Sequence, residues 1–177
     1  MLFRARRTDL VAWLSEDKLL LSRRIPGGSD EQFFLLSLAD GRETELFQVS
    51  RTRGLAFSPD KRYLVYNVTF EAQTEENGLW LLDVQNPGQA PQKLPFFGTY
   101  RWRDNQRLIY VPFDPAASQH NFYEYDVVTG QIRSLFPAGT NLIIANNDWQ
   151  VSPDGRKIVL VAARGMALDG IWVLDIA

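Results

Sequence analysis

A short motif recurs four times along this chain, and its spacing limits the fold more than any other feature. Each copy is an apolar residue, a polar turn and a run of apolar residues. The copies are Trp13–Leu21, Phe57–Tyr66, Trp102–Tyr110 and Val151–Leu160. Their leading apolar residues lie 44, 45 and 49 positions apart. This period is typical of stacked supersecondary units, each of which buries its apolar face against its neighbours.

A second anchor follows each copy in the same order. It is an apolar run that ends on a short polar residue before a turn. The four residues at this position are Ser37, Asp83, Asp126 and Asp175. Two anchors that recur in the same order indicate a true internal repeat.

Each repeat divides into four strands, which is typical of a β-propeller blade. The sequence therefore predicts an all-β fold, as a four-bladed β-propeller or a partial propeller of four-stranded antiparallel blades. We expect about 15 strands and no substantial helix. We also expect a single propeller-type domain over residues 1–177. Its predicted blades span about 8–47, 54–94, 97–136 and 142–177, with residues 1–6 as a possible closing strand.

One segment admits a second interpretation. Residues 8–24 could form an amphipathic helix capped by Thr8, with Leu10, Leu14 and Leu21 on one side. Asp17 would fall on the same stripe. The repeat register favours two strands here.

Two of the turns and the strands after them resemble those of a known family. The turns are Ser58–Lys61 and Ser152–Gly155, and the strands are Leu79–Asp83 and Ile171–Asp175. They resemble TolB-type propeller repeats, which are WD40-like and carry a Ser-Pro-Asp-Gly turn. They are also similar to the propeller domain of prolyl-oligopeptidase-like peptidases. The resemblance implies a propeller of six or more blades, often extracytoplasmic, that binds proteins or gates an attached hydrolase.

The chain departs from that family in blade number, so closure stays open. It has four repeats, and the fourth stops at Ala177 without an outer strand. Residues 2–6 could supply that strand and close a four-bladed ring. Alternatively, the chain is part of a longer propeller, or it is half of one completed by a second copy through self-association.

Composition excludes several classes of protein. The formal net charge is −2, so the protein has no overall positive potential that would attract nucleic acid. There is no cysteine, which excludes disulfides and thiolate metal sites. The longest apolar run is far shorter than a membrane span, and no signal segment is evident, so we expect no membrane insertion. The sequence as given predicts a cytoplasmic location, or an extracytoplasmic one if the chain follows the TolB pattern within a longer chain.

No catalytic constellation is visible in the sequence. There is no G-x-S-x-G nucleophile elbow and no phosphate-binding glycine loop. His120 is the only histidine, and we interpret it as a solvated loop residue. We therefore expect no enzymatic activity, no cofactor and no metal. A sugar or small-molecule enzyme that uses channel carboxylates remains a distant alternative.

The face formed by the blade connections and the long second-to-third-strand loops is the predicted binding surface. Arginine on such a face suits recognition of carboxylates. The candidate residues are Arg51, Arg53, Glu71, Arg101, His120, Asn147, Asp148 and Trp149. The predicted function is a non-catalytic TolB-like scaffold that binds a protein or peptide there. The alternative is the gating part of a peptidase or other hydrolase whose catalytic domain lies elsewhere.

Repeated residues outside this face are interpreted as structural. Asp83, Asp126 and Asp175 are expected to cap turns, although they could also line a groove. Four of the five tryptophans occupy repeat positions and are expected to pack between blades. They are Trp13, Trp80, Trp102 and Trp172.

Overall fold

The all-β class predicted from the repeat is confirmed. A computed structural model describes residues 8–28, 30–50, 52–71, 73–136, 143–164 and 167–176. Within them the chain forms 15 strands and one 3-10 turn, Thr74–Glu76. The strands make three four-stranded sheets and one three-stranded sheet, as expected for a four-bladed or partial propeller. The chain divides into two compact units, Met1–Pro95 and Phe96–Ala177, and the predicted domain and blade boundaries stay a prediction.

The first unit holds two antiparallel sheets of four strands each. Their orders are β1-β2-β3-β4 and β5-β6-β7-β8. The strands are β1 Asp9–Ser15, β2 Lys18–Arg24, β3 Asp30–Ser37, β4 Glu43–Ser50, β5 Thr52–Phe57, β6 Tyr63–Val68, β7 Gly78–Asp83 and β8 Gln92–Lys93. Residues 8–24 thus form the hairpin of β1 and β2, and the helix alternative is wrong.

The second unit also holds two sheets. The third sheet has the order β9-β10-β11-β12, and the fourth has β13-β14-β15. The strands are β9 Gly98–Trp102, β10 Arg107–Pro112, β11 Tyr123–Asp126, β12 Ile132–Ser134, β13 Ile144–Val151, β14 Lys157–Arg164 and β15 Ala167–Asp175. The predicted closing strand, residues 1–6, lies outside the described residues.

Strand register repeats between sheets. In each sheet the second-anchor residue pairs with the first residue of the second strand. The pairs are Ser37 with Lys18, Asp83 with Tyr63, Asp126 with Arg107, and Asp175 with Lys157. The sequence repeat therefore corresponds to one structural unit built four times.

A core fills the space between the two sheets of each unit. In the first unit Leu20 and Phe33 of the first sheet meet Leu64 and Tyr66 of the second. In the second unit the third and fourth sheets share a core that is led by Ile109, Phe122, Trp149, Ile158 and Leu160.

The tryptophans at repeat positions do not all pack as predicted. Trp80 packs against the first unit's core. Trp13 and Trp172, however, are 56% and 46% exposed. Equal register therefore did not guarantee equal burial. Trp80 pairs with Lys93 of an outer strand, whereas Trp172 lies on β15, for which the described residues supply no outer strand.

The two Ser-Pro-Asp turns have the same hydrogen bonds. Ser58 Oγ donates to Asp60 Oδ1 at 2.6 Å and accepts from the Tyr63 amide at 2.9 Å. In the fourth sheet Ser152 Oγ donates to Asp154 Oδ1 at 2.6 Å and accepts from the Lys157 amide at 2.9 Å. Each serine hydroxyl thus bonds both the aspartate within the turn and the amide that follows the turn, which explains why the motif is repeated.

The recurring aspartates cap turns, as expected. Asp126 Oδ1 accepts the amides of Val128 at 2.9 Å and Thr129 at 2.8 Å, and these bonds outweigh partial burial to hold the pKa of Asp126 below its ordinary value. Partial burial opposes ionisation of Asp83, but hydrogen bonds from Arg62 and its neighbours prevail and lower its pKa. This position in the repeat therefore has a structural role.

No helix among the described residues is long and apolar enough to cross a membrane.

Candidate functional site

A cavity of about 740 Å³ opens in the first unit, at the end of the sheets that carries the long loops. It lies where the last residues of β4 face the end of β6 and the start of β7. The lining residues are Asp30, Leu46, Phe47, Gln48, Val49, Ser50, Tyr66, Val68, Glu71, Gln73, Glu76, Trp80, Ala90 and Pro91.

Aromatic side chains form the inner wall of this cavity. Phe47 stacks on Tyr66 with ring centroids 4.6 Å apart and an angle of 10° between the planes. Phe33 stacks on the other side of Phe47, also at 4.6 Å. Burial raises the pKa of Tyr66, so its phenol stays neutral. Phe47 and Tyr66 are themselves only 6% and 3% exposed, so this wall is closely packed and uncharged.

Hydrogen bonds fix two carboxylates at the cavity. Glu71 accepts a hydrogen bond from Ser50 Oγ. Its backbone is held by Asn77, whose Oδ1 accepts from the Glu71 amide at 2.9 Å. Asp30 Oδ2 accepts from Gln48 Nε2 at 3.0 Å. The Glu71 carboxylate has further acceptor capacity, since a carboxylate accepts about four hydrogen bonds.

The 3-10 turn places a third carboxylate beside the aromatic wall. Trp80 Nε1 donates to the carbonyl oxygen of Glu76 at 2.9 Å, which ties the turn to β7. Lys93 Nζ, on the outer strand, donates to the carbonyl oxygen of Glu75 at 2.6 Å. These two bonds hold the short turn over the cavity although no side chain caps it.

The cavity is acidic. Asp30, Glu71 and Glu76 line it, and no lysine or arginine is among the lining residues in the described part of the chain. An apolar wall beside fixed negative charge suits the aliphatic stem and charged head of a lysine or arginine side chain.

A second cavity, of about 600 Å³, lies at the opposite, turn-bearing end of the same unit. Lys18, Arg42 and Lys61 line it together with Asp40 and Asp60. The pKa of Asp40 is lowered by hydrogen bonds from Ser37 and the Arg42 amide. This end mixes both signs of charge and consists of turns, so it offers no consistent field for a ligand.

The structure describes two of the predicted site residues of the first unit, and of these Glu71 lines the acidic cavity. Arg53 is exposed and its guanidinium lies over the ring of Phe70, 5.6 Å from the centroid. Arg51 lies outside the described residues. The described lining holds carboxylates, and the predicted mixture with arginine stays a prediction.

The predicted residues of the second unit surround one bulge in β13. The register shifts between Ile144 and Trp149, and Asn147 adopts a positive φ of 55° within it. Asn147 and Asp148 are exposed. Arg101 holds its guanidinium 5.2 Å from the centroid of the Trp149 ring.

Trp149 is a core residue. It is 1% exposed, packs edge-on against Phe122 at 5.0 Å, and donates from Nε1 to Thr99 Oγ1 at 3.1 Å. A fully buried ring with a satisfied N–H has no free face for a partner. The Trp149 ring instead lies under the guanidinium of Arg101.

The interpretation of His120 as a solvated residue is wrong. His120 is half-buried, and its Nδ1 accepts a hydrogen bond from the amide of Ile144 at 3.0 Å. Ile144 itself is 3% exposed, so this amide has no access to water. His120 joins its loop to β13, which no pattern in the local sequence indicates.

Sequence reasoning missed most of the acidic cavity. The sequence predicts Trp80 as a packing residue and places Tyr66 in a repeated apolar run, but it does not single out Phe47, Asp30 or Glu76. The run of carboxylates in the long loops was the available signal. The pairing of β4 with β3 and the 3-10 turn decide which of them face the aromatic wall.

No family model matches the sequence, and no curated protein matches it. Solved structures do. TolB from Acinetobacter baumannii is 17% identical with a TM-score of 0.54, over 90% of this chain and 38% of that chain. An oligogalacturonate lyase from Vibrio parahaemolyticus is 13% identical with a TM-score of 0.61, over 90% and 48%. The propeller domain of the Trilobed protease from Pyrococcus furiosus is 14% identical with a TM-score of 0.56, over 90% and 51%.

These similarities establish a TolB-like propeller fold. The chain spans 38% to 51% of the length of these three neighbours. Within the described residues, no group of three or more His, Cys, Asp or Glu side chains is arranged to hold a metal ion. The fold is therefore shared with a TolB protein, a lyase and a protease, and a function has to be argued from the site rather than from the fold.

Proposed function

We propose that the chain is a binding module that receives a cationic segment of a protein in the acidic cavity of its first unit. The observation that carries this proposal is the combination of the aromatic wall of Phe47, Tyr66 and Trp80 with the carboxylates Glu71 and Glu76.

The size of the cavity supports a peptide ligand. A volume of about 740 Å³ falls in the range of sites that enclose a drug-sized ligand or a few side chains. Lysine and arginine bury their stems on apolar surface and keep their charge at a rim. The Glu71 carboxylate is pre-oriented by Ser50, so less side-chain entropy is lost on binding.

The same charges argue against an anionic substrate. The Vibrio neighbour is an oligogalacturonate lyase, and an oligogalacturonate carries a carboxylate on each sugar. Three carboxylates at the cavity would repel such a chain. A uronate-cleaving function is therefore not favoured for this cavity.

The test is calorimetric titration with two capped pentapeptides, Ala-Arg-Ala-Lys-Ala and its uncharged analogue Ala-Gln-Ala-Gln-Ala. The cationic peptide should bind, and its affinity should fall as salt is raised. Glu71→Gln with Glu76→Gln should weaken it about 10-fold, which is about 1.4 kcal/mol. Asp60→Asn, at the other cavity, is the matched control and should leave the affinity unchanged. Equal binding of both peptides, or none at millimolar concentration, would contradict the proposal.

The similarity to the protease propeller favours a second function, in which the module controls access to a hydrolase site carried elsewhere. In that case the cationic segment would belong to the substrate peptide. The hydrolase partner can be sought by sequencing the full reading frame that encodes this chain. A frame without any hydrolase segment, together with no hydrolase activity in the purified native complex, would exclude this second function.

A further inference from the structure

An exposed arginine lies on an exposed aromatic ring beside the acidic cavity. Arg53 of β5 pairs with Asn67 of β6, and its guanidinium lies over the ring of Phe70, 5.6 Å from the centroid. Phe70 is 70% exposed. No carboxylate in the described part of the chain forms an ion pair with Arg53. Arg53 and Phe70, which we call the stacked pair, thus present a positive charge on an aromatic surface.

The stacked pair adjoins the cavity through Glu71. Phe70 directly precedes Glu71, so their Cα atoms lie about 3.8 Å apart. Glu71 lines the cavity, and the side-chain amide of Asn77 holds its backbone at two points. Asn77 Oδ1 accepts from the Glu71 amide at 2.9 Å, and Asn77 Nδ2 donates to the Glu71 carbonyl oxygen at 3.2 Å. Because Glu71 is fixed in this way, Phe70 is held at the rim of the cavity.

The positive charge lies beyond the rim of the cavity rather than inside it. Successive side chains of a strand point to opposite faces, so Asn67 points away from Tyr66 and Val68, which line the cavity. Arg53 is directly opposite Asn67 and shares its face. A ligand that reaches both charges must therefore cross the end of β6, which takes more than one residue of extended peptide.

The chain accepts several local costs where it places the stacked pair. Phe70 has a φ of 64°, in the left-handed region that bulky residues rarely adopt. A bulge follows Arg53 in β5, with Gly54 at a φ of 62°. Thr69 Oγ1 is buried without a hydrogen-bond partner among the described residues. Strained backbone gathers at binding sites, and bulges aim side chains there, so these costs are typical of a functional surface.

We infer that the stacked pair receives a carboxylate of the same protein segment whose cationic side chain enters the acidic cavity. Stacking on a ring leaves the N–H edge of a guanidinium open, and arginine binds a carboxylate there with two parallel hydrogen bonds. The inference rests on the proposed function and narrows its ligand. An acidic residue should lie about two positions from the basic one, because the two charges sit on opposite sides of the rim. A purely basic segment would instead bring a like charge to Arg53.

The test is calorimetric titration with two capped heptapeptides, Ala-Asp-Ala-Lys-Ala-Asp-Ala and Ala-Asn-Ala-Lys-Ala-Asn-Ala. Aspartate stands on both sides of the lysine, so that either direction of the bound chain is tested. Added carboxylates should weaken binding to an acidic cavity unless Arg53 receives one of them. We expect the aspartate peptide to bind about 5-fold more tightly than the asparagine peptide.

Three variants locate the source of this preference. Arg53→Gln should reverse it, so that the asparagine peptide binds more tightly. Phe70→Leu removes the ring under the guanidinium and should lessen the preference for aspartate. Arg42→Gln, on an exposed residue at the opposite end of the same unit, loses the same charge and is the matched control. It should leave the preference unchanged.

Failure of this inference is distinguishable from failure of the proposed function. If the asparagine peptide binds through Glu71 and Glu76 but the aspartate peptide binds more weakly, the proposed function stands and this inference is wrong. An unchanged preference in Arg53→Gln would also overturn it. If neither peptide binds at millimolar concentration, both are wrong. The comparison of the two peptides on the wild type does not depend on the folding of any variant.

Discussion

Arg103 donates a hydrogen bond from Nε to the carbonyl oxygen of Gly155 at 2.9 Å, which joins a turn of the third sheet to the Ser-Pro-Asp-Gly turn of the fourth. Its Nη2 also donates to the carbonyl oxygen of Ile176 at 3.0 Å, and its Nη1 is ion-paired with Glu124. The side chains of Arg103 and Glu124 are 8% and 6% exposed. A single buried guanidinium therefore connects three segments of the second unit.

Replacing Arg103 should destabilise the second unit strongly. Arg103→Met leaves Glu124 buried with one arginine partner fewer and two carbonyl oxygens unsatisfied. Loss of one member of a buried pair costs about 3–5 kcal/mol. Urea denaturation followed by tryptophan fluorescence measures this loss. Arg107→Met removes the more exposed pair with Asp104 and should cost within about 1 kcal/mol. Equal losses for both variants would contradict the buried role of Arg103.

The two Ser-Pro-Asp turns should respond in opposite ways to exchange of their fourth residue. Lys61 has φ 63° and Gly155 has φ 69°, a region that costs a residue with a side chain about 1–2 kcal/mol. Lys61→Gly should therefore raise the free energy of unfolding by up to about 1 kcal/mol, because flexibility of the unfolded chain offsets part of the gain.

Gly155→Lys should lower stability by about 2 kcal/mol or more. A Cβ at Gly155 would lie 2.7 Å from the carbonyl oxygen of Arg103, so steric overlap adds to the strained φ. Thermal unfolding of both variants beside the wild type tests the pair. Similar midpoints for the two would contradict the strain assigned to the positive φ at these positions.

Loss of the His120 acceptor should be measurable. His120→Ala leaves the buried amide of Ile144 without a partner, at a cost of about 1–3 kcal/mol. His120→Asn is the informative companion, since its Oδ1 can take the place of Nδ1 and should restore most of the stability. Hydrogen exchange at the Ile144 amide should quicken in His120→Ala only. If neither substitution changes the free energy of unfolding, the hydrogen bond does not contribute to stability.

Stability should fall in acid through Glu124. Burial opposes its ionisation, but hydrogen bonds from Arg133 and Arg103 prevail and hold its pKa below the ordinary 4.5. The ionised group thus stabilises the fold above about pH 4.5, and this contribution is lost as pH falls through the lower folded value. The stability difference between wild type and Glu124→Gln should shrink from pH 6 to pH 3. Glu75→Gln, in the exposed 3-10 turn, should differ little from the wild type at any pH.

Fold class could be predicted because it depends on local patterns. The spacing of Phe57, Trp102 and Val151 and the turn chemistry of Ser58 and Ser152 are written in short stretches of chain. The strands of each repeat then pair with their neighbours in the sequence, because this arrangement needs only short connections. The capping roles of Asp83 and Asp126 followed for the same reason, since a carboxylate at a turn reaches amides two and three residues on.

Among the predicted binding residues that the structure describes, Glu71 coincides with the proposed acidic cavity, and the binding face stays a prediction. Glu71 lines the acidic cavity, while Arg53 lies over Phe70 and Trp149 is buried. The aromatic wall of Phe47 and Tyr66 was not foreseen, because stacking across two sheets depends on register between segments distant in sequence.

The sequence by itself determined that this protein is a β-propeller-type repeat. Hydrophobic runs, turn residues and their period are local properties, and they recur in each blade. The tertiary structure alone decided which equal positions are buried and which are open. Phe33 and Ile171 occupy the same place in the repeat, yet one is covered and the other is 74% exposed. Burial depends on a neighbouring sheet, and the residue pattern within a strand does not show whether that neighbouring sheet is present.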